Sequence, residues 1–81
     1  MDTIKKSIRK LQRADRVKAD DAIERIRSGN LVGLNILKIA GSKFTFRVRA
    51  GNVRIIYVLN PNEDPQIIWV GYRSEKTYRD I

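Results

Sequence analysis

The chain contains no cysteine and no histidine. Without cysteine there is no disulfide staple and no thiolate metal site, which fits a reducing cytoplasm, the expected location. Without histidine the usual general base near neutral pH and the commonest transition-metal ligand are both missing. Composition therefore excludes a Ser-His-Asp or Cys-His catalytic arrangement, and no metal or other cofactor is expected. Acidic residues are scarce too, with 9 Asp+Glu against 17 Lys+Arg. No acid falls between Lys43 and Asn60, and the first acids after the N-terminal third are Glu63 and Asp64. No apolar run approaches the roughly 20 residues of a membrane helix. The opening "MDTIKKSIRKLQR" lacks the apolar stretch of a secretory signal, and Asp15, Asp20, Asp21 and Glu24 argue against a mitochondrial-type presequence.

What is present is positive charge on a short chain. The 81 residues carry a net charge of +8 and predict one domain, 1–81. So small a domain buries only about 60–65% of its unfolded surface, so its core must be compact. The charge points to a polyanionic partner: nucleic acid, an anionic membrane or an acidic protein.

Hydrophobic spacing predicts helix over 2–29. Ile4, Ile8 and Leu11 form one apolar stripe, and Val17, Ala19, Ala22, Ile23 and Ile26 form a second. The phase slips near Ala14–Asp15, which predicts a helical hairpin with Asp15 as N-cap of the second helix and Gly29 as its stop. Residues 30–42 read as a connector with a short apolar strand near Ile36–Ile39. The pattern then changes to period two. In "KFTFRVRA", Phe44, Phe46 and Val48 point one way and Lys43, Thr45, Arg47 and Arg49 the other. "AGN" supplies a turn, "VRIIYVL" a return strand, "NPNEDP" a loop and "QIIWVGYR" a last strand, followed by the tail "SEKTYRDI". In the later strands Ile55, Tyr57 and Leu59 alternate with Ile56 and Val58, and Ile67 and Trp69 with Ile68 and Val70. The expected fold is α+β, a helical hairpin packed on a small antiparallel sheet whose other face is half apolar and half cationic.

The arginines on that face need explaining. Arg47 and Arg49 share a side, about 7 Å apart along the strand. Arg54 reaches the same side from the neighbouring strand, subject to register. Like charges opposed on a sheet repel, and no acid stands nearby to neutralise them. One reading lets each arginine extend its stem along the sheet rim into solvent. The other places an external counter-charge on Lys43, Arg47, Arg49 and Arg54, with phosphate the natural choice for bidentate guanidinium groups. Arg73 ends the last strand, where it can curl over the same face, and Tyr78 follows. Glu75 either serves as a base or pairs with Arg79.

RNA cleavage by its own 2′-hydroxyl requires that hydroxyl to lose a proton, the phosphorane charge to be stabilised and the 5′-oxygen to gain a proton. Arginine stabilises charge but is a poor base. A tyrosine among cations is a better one, because positive charge favours its phenolate. The same residues suit passive nucleic-acid binding, with tyrosine stacked on a base.

On these residues the chain resembles the RelE/ParE superfamily of toxins from bacterial and archaeal toxin–antitoxin systems. "LKIAGSKFTFRVRAGNVRIIYVL" is similar to the family's central signature and "IIWVGYRSEKTY" to its "V-G-x-R-x-x-x-x-Y" ending. The resemblance covers most of the chain, the basic hairpin included. It implies two helices on an antiparallel sheet, a cognate acidic antitoxin, and either cleavage of mRNA on the ribosome (RelE-type) or non-catalytic inhibition of DNA gyrase (ParE-type). Carried over by position, Arg47 and Arg49 match RNA-binding basic residues. Arg54 matches the residue that stabilises the scissile phosphate, Arg73 the one that protonates the leaving oxygen, and Tyr78 the one that activates the 2′-hydroxyl. All five are present, which favours the RelE-type branch and a metal-independent endoribonuclease. Three departures stand out: the family's opening strand is missing or truncated, Val53 stands where a tyrosine is usual, and the chain stops three residues after Tyr78.

Overall fold

The computed structural model describes residues 3–73. Two helices, α1 (Thr3–Arg9) and α2 (Arg13–Ser28), precede four strands: β1 (Asn35–Lys38), β2 (Thr45–Ala50), β3 (Val53–Val58) and β4 (Gln66–Tyr72). The strands form one antiparallel meander in the order β1-β2-β3-β4. The α+β expectation holds. The described chain enters directly into α1, with no strand before it.

The core lies between the helices and one face of the sheet. Leu11 of the interhelix joint and Ala19, Ala22, Ile23 and Ile26 of α2 pack against Val48, Val53, Ile55, Tyr57 and Val70. Alanines at positions 19 and 22 let α2 approach closely, since a helix needs only short side chains where its axis nears the sheet. Phe46 and Tyr57 stand opposite each other in register and stack with centroids 5.3 Å apart. Burial pushes the Tyr57 hydroxyl above the ordinary tyrosine range.

Three local expectations are corrected. The helix break falls earlier than Ala14–Asp15: the Leu11 N–H donates to the Ile8 carbonyl in a tight turn, and Gln12, with extended backbone, takes the N-cap position. Asp15 is instead inside the first turn of α2, where a carboxylate favours the positive helix end. Val17 does not belong to the apolar stripe and is 65% exposed, because a helix turns about 200° between residues 17 and 19. Finally, β4 does not alternate strictly. Tyr57 pairs with Ile67 but Ile56 pairs with Trp69, so Ile68 is the extra residue of a β-bulge. Ile67 and Trp69 therefore face opposite sides.

Gly29, in the left-handed region at φ 81°, ends α2 as expected, its N–H reaching the Arg25 and Ile26 carbonyls. The joint between the helices is fastened to β4 by Tyr72. Its hydroxyl accepts from the Gln12 N–H at 2.8 Å and donates to Asp15 Oδ2 at 2.9 Å. Among the described residues no helix is long and apolar enough to cross a membrane.

Candidate phosphate-binding face

The sheet surface away from the helices carries the arginines. β2 alternates Phe46, Val48 and Ala50 toward the core with Arg47 and Arg49 outward, and the β3 register then decides which side chains meet. Arg49 stands directly opposite Arg54, and Arg47 opposite Ile56. The two-residue turn that sets this register has Gly51 at φ 61°, a left-handed conformation that glycine adopts without penalty. Arg73 follows β4, and its backbone N–H donates to the Asn52 carbonyl at 2.8 Å. That bond pins the end of β4 to the β2–β3 turn and brings a fourth guanidinium to the group.

Arg47, Arg49, Arg54 and Arg73 line one shallow concavity of about 190 Å³, completed by Asn35 and Leu37 of β1. None of these six residues is acidic. The electrostatic consequence is visible at Arg54, half-buried among the others. Its pKa is held below the ordinary arginine value, first by burial and then by repulsion from Arg47, Arg73 and Arg49. The guanidinium remains charged at neutral pH. Four positive groups around a pocket of this size supply the charge and the hydrogen-bond donors that a phosphate or another compact oxyanion requires.

The sequence-based site residues divide clearly. Arg47, Arg49, Arg54 and Arg73 come together. Lys43 stands before β2, is exposed and does not line the concavity. Tyr78, with Glu75 and Arg79, lies outside the described residues. Of the tyrosines among the described residues, Tyr57 is buried in the core and Tyr72 holds the helix joint. Asn35 and Leu37 were not anticipated. The signal for them was the same period-two alternation, since Asn35 and Leu37 flank the inward Ile36 and pair with Arg49 and Arg47.

Among the described residues no group of three or more His, Cys, Asp or Glu side chains gathers as a metal site. The lining supplies hydrogen-bond donors, positive charge and one aliphatic side chain. It can hold an anion and stabilise charge that builds on it, and a base would have to come from elsewhere. No protein-family model matches the chain, no curated protein is similar to it, and no solved structure matches its fold.

Proposed function

We propose that the chain is a RelE-like toxin, a metal-independent endoribonuclease that cuts mRNA on the ribosome and is held in check by an acidic antitoxin in the cytoplasm. The observation that carries this reading is the convergence of Arg47, Arg49, Arg54 and Arg73 on one acid-free concavity. These are the arginines that the resemblance assigns to RNA, to the scissile phosphate and to the leaving oxygen. In the proposed reaction Arg47 and Arg49 hold the RNA backbone. Tyr78 takes the proton of the 2′-hydroxyl, whose oxygen attacks the adjacent phosphorus. Arg54 stabilises the phosphorane, and the bond to the 5′-oxygen breaks with Arg73 assisting protonation of the departing oxygen. The products are a 2′,3′-cyclic phosphate and a free 5′-hydroxyl. A site without a base matched to neutral pH depends heavily on substrate positioning, so free RNA is a poor substrate.

Primer extension on a reporter mRNA, with and without ribosomes, tests the reading. Cuts are expected only with ribosomes. Tyr78→Phe is expected to abolish them, and Arg54→Ala to slow them by about 10²–10³, the loss typical of one oxyanion donor. Cleavage that survives Arg54→Ala with only a few-fold loss removes the assigned role of that residue. One observation favours a second reading: the concavity's lining contains no base. If no cuts appear and DNA gyrase is inhibited instead, with Tyr78→Phe still toxic, the face is the docking surface of a ParE-like inhibitor.

A further inference from the structure

Across the strands the arginine face is sorted into two rows. One reads Asn35, Arg49, Arg54, Gly71 and the next reads Leu37, Arg47, Ile56, Trp69. The rows are about 7 Å apart along the strands. Arg54 is thus the diagonal neighbour of Trp69, and Gly71 between Arg54 and the edge of the sheet carries no side chain to screen one from the other.

Trp69 reaches this face only because of the bulge. Ile67 packs on the core side with Tyr57. In a regular strand Trp69 would follow it there, but the extra residue Ile68 turns the indole to the arginine side. Bulges are common beside functional sites because they re-aim a side chain in this way. The indole is half-buried and is not part of the core cluster, and its cross-strand neighbour Ile56 is fully buried beneath the face. Beside it a crevice of about 240 Å³ opens between β4 and α1, lined by Trp69, Gly71, Ser7 and the exposed Lys10 among others.

The geometry points to Trp69 as a stacking platform for an unpaired RNA base whose phosphate is held by the arginines, an inference that rests on the phosphate-binding reading of the concavity. A single-stranded nucleotide presents an anionic group and a flat apolar one separated by a sugar, and this face offers a guanidinium cluster and an indole in adjoining rows. Stacking on an aromatic ring is tolerant of base identity, because every base has a π-face. Lys10 lines the same crevice as the indole and adds a second cation beside the platform. A duplex keeps its bases paired and stacked on one another, so the platform selects single-stranded segments.

Trp69 is the only tryptophan in the chain, so its emission reports the platform directly. The experiment titrates the full chain with a short unstructured oligoribonucleotide and, separately, with inorganic polyphosphate as a base-free anion, and repeats both with Trp69→Leu, Trp69→Phe and Arg54→Ala. The oligoribonucleotide is expected to quench the indole and polyphosphate to leave it nearly unchanged. Trp69→Leu is expected to weaken RNA binding by roughly 5- to 140-fold, the range for loss of one stacked base. Polyphosphate binding should be unaffected, and Trp69→Phe should retain most of the RNA affinity. Circular dichroism checks that each variant is folded, and the wild-type quenching test needs no variant. RNA that binds without quenching, and binds wild type and Trp69→Leu alike, overturns the platform; if Arg54→Ala still weakens it, the arginine site stands. RNA and polyphosphate binding that are both absent, or both indifferent to Arg54→Ala, overturn the arginine reading and the platform with it.

Discussion

Arg49 and Arg54 face each other across β2 and β3 with no acid on the rim of their concavity. A like-charged cross-strand pair destabilises a sheet by roughly 0.2–1 kcal/mol. Guanidinium groups keep their charge in proteins, so no change of pH near 7 relieves the repulsion, and only a counter-ion or a substitution does. Arg49→Gln should therefore raise the stability of the free protein by a few tenths of a kcal/mol at low ionic strength. The gain should shrink in high salt, where the charges are screened. Urea unfolding at two salt concentrations measures both, and a loss of stability would mean that contacts of the Arg49 side chain outweigh its charge. The same variant should bind anions less well, the usual opposition between stability and function at a built site.

At the scale of elements, the turn between β2 and β3 sets the arginine register. Gly51 sits there at φ 61°, and a Cβ added to it would lie 3.0 Å from the Lys18 Nζ. The lysine can swing away, so the backbone penalty dominates, and Gly51→Ala should destabilise by roughly 1–2 kcal/mol. The urea midpoint should fall with its slope unchanged. This turn, the strand pattern around it and the glycine stop of α2 were legible in the sequence because each is local: a period of two, a residue allowed left-handed φ, a run of acid-free strand. The bulge at Ile68 was not legible. Four consecutive apolar residues, Ile67 to Val70, carry no alternation to reveal a skipped pair, and only the pairing with β3 exposes it. The helix break was misplaced for a related reason. Asp15 is a good capping residue by type, but its carboxylate is committed to Tyr72, 57 residues away in sequence. Such a partner is invisible to any local reading. Of the candidate site, the three arginines of the hairpin followed from alternation, and the contributions of Asn35 and Leu37 depended on β1 pairing.

For the whole molecule, charge sets how it meets a polyanion. If the four arginines of the concavity each neutralise one phosphate of a single strand, log K should fall against log salt concentration with a slope of about −3, from roughly −0.7 per contact. Arg54→Ala should flatten that slope by about 0.7. Anisotropy of a labelled oligoribonucleotide across a salt series gives both values. A steeper slope unmoved by Arg54→Ala would mean that the cations of α1, Lys5, Lys6 and Arg9, hold the strand instead.

The tie between Tyr72 and the helix joint also sets an order of events. α1 is the first element of the described chain to be made, yet its packing partner β4 is the last. A seven-residue helix is not stable alone in water. During synthesis the basic N-terminal segment therefore waits, without its fold, for the final strand, and Arg73 joins the other three arginines only when that strand has docked. The β2–β3 hairpin brings Arg47, Arg49 and Arg54 into register by itself. The cationic pocket closes only when β4 docks, and until then the nascent chain holds all the charges of the site with only part of their geometry.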